Sequence, residues 1–130
     1  MPSIFTRIIS GEIPCYKVAE NETCFAFLDI APLKKGHVLV VPKKEVDTIF
    51  DLDTTSYTQL FTFAQQVSKA IKSVIPCKRI SMHVVGLEVP HAHIHLIPIN
   101  TINDCDFAGS KLTLDKEELM LIASSIGKAF

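Results

Sequence analysis

The sequence predicts an α+β domain built on a mainly antiparallel sheet, and three patterns lead to that prediction. Residues 54–74 repeat apolar side chains at helical spacing over a long stretch. Short apolar runs bounded by Gly, Pro or polar residues lie before and after this stretch, which is typical of strands. The resulting order is a short helix, a hairpin, a strand, the long helix, two more strands and a last helix. Hairpins beside one long crossover favour an antiparallel sheet.

The first part of the chain predicts one helix and three strands. Ser3 is placed to cap a short helix over residues 3–9, which carries an apolar stripe. Residues 15–19 and 23–28 are expected to form a hairpin around a polar turn. Residues 37–41 are apolar enough to form a strand in the middle of the sheet.

The second part predicts the long helix, two strands and a final helix. Asp53 is placed to cap the long helix. Residues 79–85 and 91–97 are expected to be strands joined by a loop. Residues 100–112 are polar and irregular, and Asp115 begins the acidic first turn of the last helix.

Composition limits the class of protein. The 130 residues suit one domain spanning 1–130, and 48% hydrophobic residues provide a real core. A net charge of -1 argues against sequence-independent binding to nucleic acid. No apolar run is long enough to form a membrane helix. No Cys-x-x-Cys pair occurs, so four separated cysteines are expected to be reduced thiols in a cytoplasmic protein: Cys15, Cys24, Cys77 and Cys105.

The most informative pattern is an alternation of three histidines with apolar residues. In a strand, side chains two positions apart point to the same face, so His91, His93 and His95 are expected to share one face. Ordinary packing gives no reason for three imidazoles in a row, because their nitrogens need hydrogen-bond partners. The run therefore indicates a functional site, with a chance structural pattern as the plain alternative.

A metal site is a second interpretation of the histidines. His-x-His pairs are ordinary zinc ligands on a strand. However, His91 and His95 would lie about 13 Å apart at Cα, which is too far for all three rings to bind one ion comfortably. A two-histidine site would need further ligands, for which the sequence offers His37, His83, Asp29 or Glu88.

Nucleophilic catalysis is the third interpretation. A neutral imidazole is a good nucleophile towards phosphorus, and histidine is largely neutral at about pH 7. The middle histidine, His93, has a histidine neighbour on each side. One neighbour can hold its tautomer, and another can donate to a phosphoryl oxygen that gains charge in the transition state.

The run from His91 to Ile97 resembles the His-φ-His-φ-His-φ-φ signature of the histidine triad (HIT) family of nucleotide hydrolases and transferases. Three more segments are similar to its Hint-like branch: residues 4–14, 25–30 and 36–44. This resemblance implies the HIT fold, a five-stranded sheet with one long helix and a C-terminal helix. It also implies a homodimer in which two sheets join into one.

The resemblance further implies a role for each site residue. His93 matches the nucleophile and His95 matches the neighbour that contacts phosphate. His91 and His37 match a supporting relay behind the nucleophile, and Asp29 matches a carboxylate that accepts hydrogen bonds from ribose hydroxyls. The apolar residues that would sandwich a purine, and that would otherwise simply be core, are Phe5, Ile8, Ile13, Phe27 and Ile30.

Two segments depart from the family's pattern. Zinc-ligand positions of many bacterial members are aligned with Thr6, Ile9 and Glu45, so no metal site is expected. The loop before the histidines is short and lacks the usual Asn and Gln. Glu88 falls where a phosphate donor often lies, and its carboxylate would repel phosphate unless it is protonated or accepts from a leaving amine.

The expected activity is hydrolysis of a purine nucleoside phosphoramidate, or of a related nucleotidyl conjugate of AMP or GMP, at the α-phosphorus. His93 would form a covalent nucleotidyl intermediate that water then cleaves, with no cofactor. Two alternatives stay open: a catalytically weak module that binds purine nucleotides, and a metal-dependent hydrolase.

Overall fold

The computed structural model describes residues 1–130 and contains three α-helices and one five-stranded sheet. The helices are α1 (Ile4–Ile9), α2 (Thr54–Val74) and α3 (Lys116–Ala129). The strands are β1 (Lys17–Glu20), β2 (Cys24–Leu28), β3 (Val38–Pro42), β4 (Arg79–His83) and β5 (Ile94–Ile99). All strand pairs are antiparallel, in the order β1-β2-β3-β5-β4. This architecture confirms the predicted α+β class and its antiparallel sheet.

Helices α1 and α2 begin next to the residues that the sequence predicts as their caps, and α3 begins next to Asp115, at its predicted acidic start. The side chains of Ser3, Asp53 and Asp115 each accept a hydrogen bond from the amide three residues further on. These bonds satisfy first-turn amides that have no partner within the helix. Helix α2 ends just before Pro76, which cannot continue the backbone ladder.

The two faces of the sheet are covered differently. Alternate side chains of a strand point to opposite faces. Val38 and Val40 of β3 join the main core with residues of α2 and α3, whereas Leu39 and Val41 join a second, smaller cluster. We call that second group the aromatic cluster, and its buried members are Phe5, Phe25, Phe27, Leu39 and Val41. Ile94 of β5 belongs to the main core, so the adjacent His95 faces the aromatic cluster.

The histidine segment does not follow the expected strand from its first residue. The prediction of a strand over 91–97 is wrong at its start, because β5 begins only at Ile94. The amide of Ala92 donates to the carbonyl of Val46 at 2.7 Å and is therefore not part of the sheet ladder. His91 and His93 are consequently held by a loop, while the remaining strands match their predicted bounds to within two residues.

None of the helices combines the length and the apolar character that a membrane crossing requires. All four cysteines are free thiols. The fold is therefore held by packing and hydrogen bonds without a disulfide.

Candidate active site

Four of the five histidines meet on the sheet face that carries the aromatic cluster. His95 lies on β5 opposite Leu39, a member of that cluster. The ring of His93 lies edge-on to Phe5, with 4.9 Å between centroids, and its centroid is 5.0 Å from that of His95. The ring of His37, which lies just before β3, is 5.2 Å from that of His95. The structure thus brings together residues that are far apart in the sequence.

Backbone geometry fixes the protonation of His93. Its Nδ1 lies 2.8 Å from the carbonyl oxygen of His91. A carbonyl only accepts hydrogen bonds, so Nδ1 carries the proton and donates it, and the neutral ring keeps its lone pair on Nε2. That Nε2 makes no hydrogen bond within the protein, and no buried polar side-chain atom lacks a partner. The small exposed part of this residue, 5%, therefore includes the free nitrogen.

The ring of His91 is fixed from both sides. Its Nε2 donates to the carbonyl oxygen of Pro42 at 2.8 Å. Its Nδ1 is therefore the acceptor in the neutral ring, and the hydroxyl of Ser3 donates to it at 2.7 Å. His91 is fully buried, so its carbonyl oxygen is a rigid partner for the ring of His93.

His37 and His95 form a second hydrogen-bonded pair. The amide of Leu33 donates to Nδ1 of His37 at 3.1 Å, which places the proton of the neutral His37 ring on Nε2. That Nε2 donates to Nδ1 of His95 at 2.9 Å. The neutral ring of His95 must then carry its own proton on Nε2, where it is available to donate to a bound ligand.

The four histidines therefore form two branches rather than the single relay that the sequence implies. His37 contacts His95 and makes no hydrogen bond to His93. His91 supports His93 through its backbone carbonyl, not through its ring. One branch presents a bare nitrogen and the other presents a proton donor.

Burial favours the neutral form of His37, His93 and His95. Desolvation is the main cause that lowers the pKa of His37 to about 3 and that of His95 to about 4. Positive charge on neighbouring rings lowers both values further. Burial also lowers the pKa of His93, and the hydrogen bond to the His91 carbonyl opposes this. At about pH 7 these three rings thus act as uncharged donors and acceptors.

Asp29, His37 and His95 are the one group in the structure whose ligand atoms cluster as a metal site would require, within 4.8 Å of one another. The nearest Asp29 oxygen is 3.7 Å from Nε2 of His37. A metal on that nitrogen would need its lone pair, and the proton would move to Nδ1, where the Leu33 amide already donates. The donor set therefore does not fit a metal ion.

A hydrogen-bonded link joins α1 to the loop after β3. One oxygen of Glu45 accepts from the amide of Ser3 at 2.7 Å and from the hydroxyl of Thr6 at 2.6 Å. Ser3 in turn donates to His91. Of the three positions aligned with zinc ligands, Thr6 and Glu45 meet here, whereas Ile9 packs against the aromatic cluster. Hydroxyls and one carboxylate replace the thiolates that structural zinc needs, so these residues do not fit zinc.

The predicted nucleotide-binding residues differ in accessibility. Phe5 and Phe27 are buried and pack edge-to-face, with ring centroids 5.5 Å apart. Ile8 and Ile13 are half-buried, and Ile30 is exposed. The two phenylalanines can therefore form only the floor of a binding surface, while the three isoleucines offer accessible apolar area. Their contact with a purine stays a prediction.

Asp29 and Glu88 are the two carboxylates near the nucleophile. Asp29 is half-buried, and its Oδ1 accepts from the amide of Ala31 at 2.9 Å. Burial raises the pKa of Asp29 above its ordinary value, and the negative charge of Glu88 adds to this. Glu88 itself lies exposed in the loop before the histidines. Its negative charge also acts to raise the pKa of His93, against the larger effect of burial.

Sequence reasoning missed Phe107. Its ring lies edge-on to three histidines, at centroid distances of 4.9 Å to His95, 5.3 Å to His83 and 6.4 Å to His37. It lies within the polar stretch after β5, which has no periodicity. A single aromatic residue in that stretch was the one available signal.

Comparisons with known proteins identify the family and support the fold. The HIT domain family model matches residues 10–102. Over 131 residues the chain is 32% identical to an uncharacterized HIT-like protein of Borreliella burgdorferi, covering 95% of this chain and 94% of that protein. It is 37% identical over 99 residues to an adenosine 5'-monophosphoramidase of Schizosaccharomyces pombe, covering 75% and 74%. A crystal structure of a Hit-like protein from Bartonella henselae superposes with a TM-score of 0.84 at 30% identity, covering 98% and 96%.

Proposed function

The chain belongs to the HIT domain family and is a nucleotide hydrolase of that family, and we propose that it cleaves purine nucleoside phosphoramidates or related nucleotidyl conjugates at the α-phosphorus. The observation that carries this proposal is the free, unprotonated Nε2 of His93, held at the surface of the site by the His91 carbonyl. The likeness to an adenosine 5'-monophosphoramidase supports the substrate class.

The proposed reaction has two steps at phosphorus. Nε2 of His93 attacks in line with the leaving group. The bond from phosphorus to the leaving nitrogen breaks, its electron pair stays on nitrogen, and the amine takes a proton from solvent. Water then attacks the nucleotidyl-histidine, and the imidazole leaves with its lone pair restored on Nε2. No cofactor takes part in either step.

Three groups would stabilise this reaction. The His91 carbonyl accepts from Nδ1 of His93, so it stabilises the positive charge that the ring gains on attack. Nε2 of His95 would donate to a phosphoryl oxygen, and Asp29 would accept hydrogen bonds from the ribose. The accessible isoleucines would contact a purine such as that of AMP or GMP, with Glu88 near the leaving group.

We propose that residues 1–130 form one domain that pairs as a homodimer in the cytoplasm. Strand β4 is an edge strand, and exposed apolar residues lie on it and just beyond it: Met82, Val84 and Val85. Tyr57 and Phe61 of α2 line the same shallow depression as Met82. Joining two such edges would extend the sheet and cover these side chains. The free thiols suit a reducing compartment.

A trapping experiment tests the proposed function. Labelled adenosine phosphoramidate is mixed with the protein, the reaction is quenched within one turnover, and the protein is digested for mass spectrometry. We expect the nucleotidyl group on His93, and no adduct with His93→Ala. His83→Ala is the matched control, because His83 lies at the edge of the site and keeps the adduct. Turnover without an adduct on His93 would overturn the covalent route.

A nucleotide-binding module is the second candidate, and Glu88 is the observation that favours it. Its negative charge acts on His93, where a phosphate would bind. In that case the wild type would bind AMP but neither form an adduct nor turn over substrate. Glu88→Gln would then tighten AMP binding without creating activity.

A further inference from the structure

The stretch from Phe107 to Lys111 covers the His37–His95 end of the site, and we call it the covering segment. The ring of Phe107 lies against His95, with 4.9 Å between centroids. The amide of Leu112 donates to the carbonyl of Pro32 at 2.7 Å, which fastens the far end of the segment beside the loop that carries Asp29.

The near end of the covering segment is fastened as well. Lys34 and Asp104 form an ion pair at 3.2 Å. The carboxylate of Asp104 also accepts from the amides of Asn100 and Thr101, at 2.7 and 3.0 Å. The segment is therefore tied to the loop between β2 and β3 on both sides of Phe107.

Lys111 is a cation without a carboxylate partner at this position. Its Nζ donates to the carbonyl oxygen of Phe107 at 2.7 Å and takes part in no ion pair. Burial is the main cause of the low pKa of His95 and of the raised pKa of Asp29, and the charge of Lys111 lowers the pKa of both. The ammonium group therefore lies within electrostatic reach of the donor branch and of the carboxylate.

The site otherwise has no charge that could balance a phosphate. Burial favours the neutral form of His37, His93 and His95, and the two nearby carboxylates, Asp29 and Glu88, are acidic groups. An anionic substrate would thus meet more negative than positive charge without Lys111. The carbonyl that holds Nζ is a neutral acceptor, which a phosphate oxygen can replace with a stronger, charge-assisted hydrogen bond.

We propose that Lys111 is a phosphate-binding residue, whose ammonium group leaves the Phe107 carbonyl to contact a non-bridging oxygen of the α-phosphate. This assignment rests on the proposed function for the location of the phosphate. The covering segment then supplies the positive charge that the short loop before His91 does not. Lys111 would favour nucleotides over nucleosides without favouring one base over another.

Ligand binding tests this assignment independently of turnover. AMP and adenosine are titrated by calorimetry into the wild type, Lys111→Met and Lys111→Arg. Lys116→Met is the matched control, since Lys116 is an exposed lysine at the start of α3. We expect Lys111→Met to weaken AMP binding about tenfold and to leave adenosine binding unchanged. Lys111→Arg should keep most of the AMP affinity, and Lys116→Met should keep all of it.

The outcomes separate this inference from the proposed function. Equal AMP affinity in Lys111→Met and the wild type would overturn it, as would a wild type that does not bind AMP or an equal loss of adenosine binding. If the wild type binds AMP with the expected Lys111 dependence but forms no adduct on His93, the inference stands and the hydrolase proposal fails.

Discussion

The two pairs of histidines in the site are held by different kinds of partner. His91 and His93 take their tautomers from backbone carbonyls, and both are buried. His95 is half-buried and takes its tautomer from the side chain of His37, which one amide orients in turn. A side-chain substitution cannot remove a backbone carbonyl, whereas it can remove an imidazole. The nucleophile branch should therefore keep its geometry in most variants, and the donor branch should be the sensitive one.

The largest expected effect is the loss of the nucleophile. In His93→Ala we expect kcat to fall by roughly a thousandfold or more, because none of the other three histidines of the site, His37, His91 and His95, presents a bare nitrogen. AMP binding, measured by calorimetry, should be retained. His83→Ala should keep most of the wild-type kcat. A His93→Ala enzyme that keeps its turnover would remove this residue from the mechanism.

Two substitutions of His37 distinguish its role in orienting His95 from its contribution to stability. His37→Asn can still accept from the Leu33 amide but cannot reach His95, so we expect roughly a tenfold to hundredfold loss of kcat with little change in stability. His37→Leu also leaves the Leu33 amide unpaired, which should lower the free energy of unfolding by about 1–3 kcal/mol. Urea denaturation and steady-state kinetics measure the two effects. Equal stability of the two variants would contradict the tautomer assigned to His37.

Acid should destabilise the folded protein before its carboxylates titrate. In the unfolded chain the histidines take up protons near their ordinary pKa of 6.5, whereas folded His95 and His37 do so only at about 4 and about 3. The unfolded state then binds more protons, so the free energy of unfolding should fall as pH falls from 6.5 towards 4. The slope is roughly 1.4 kcal/mol per pH unit for each proton. Asp29, whose pKa is raised, opposes this trend between its ordinary pKa of 3.8 and its raised value in the folded protein.

Urea denaturation at pH steps from 7.5 to about 4.5 measures this slope. His37→Asn should reduce the slope by close to the contribution of one proton, because it removes one titrating ring. A stability that does not change over this range would show that the rings take up protons at the same pH in the folded and the unfolded protein.

The smallest expected effect is at the link between α1 and the nucleophile branch. Glu45→Gln weakens the hydrogen bonds to Ser3 and Thr6 but leaves the bond from Ser3 to His91. We expect Tm to fall by a few degrees and kcat to stay near the wild-type value. Glu22→Gln, an exposed glutamate on the β1–β2 turn, is the control for loss of charge. A large loss of kcat in Glu45→Gln would mean that the link also orients the nucleophile.

Treatment with a chelator tests whether activity or stability depends on a metal. Neither the Asp29 group nor the Ser3, Thr6 and Glu45 group fits a metal, so treatment with a chelator should leave kcat and Tm unchanged. Activity that is lost with chelator and restored by zinc would favour the metal-dependent alternative.

Local patterns were sufficient to predict most of the fold. Capping side chains at Ser3, Asp53 and Asp115 act within one turn, so their effect is visible in the sequence. The start of β5 could not be predicted in this way. It depends on a hydrogen bond between Ala92 and Val46, which belong to distant parts of the chain.

The site was predictable in its members but not in its connections. The alternation identified His91, His93 and His95, but their tautomers depend on other groups. The tautomer of His91 depends on the carbonyl of Pro42, and that of His93 on the carbonyl of His91. The tautomer of His95 depends on His37, which the amide of Leu33 orients. Glu45 contacts Ser3 and Thr6, and not Ile9. Ser3 and Thr6 are three residues apart and therefore share one side of a helix turn. Phe107 and Lys111 were missed because an irregular segment has no period from which its direction can be inferred.

The most direct test of the account is the tautomer of His93 in solution. Two-bond proton–nitrogen correlation spectra of protein labelled with ¹⁵N histidine distinguish protonation at Nδ1 from protonation at Nε2. At about pH 7 we predict a neutral His93 protonated on Nδ1, and neutral His91, His37 and His95 protonated on Nε2. A His93 ring that carries its proton on Nε2, or on both nitrogens, would have no lone pair on Nε2 to attack phosphorus and would contradict the account.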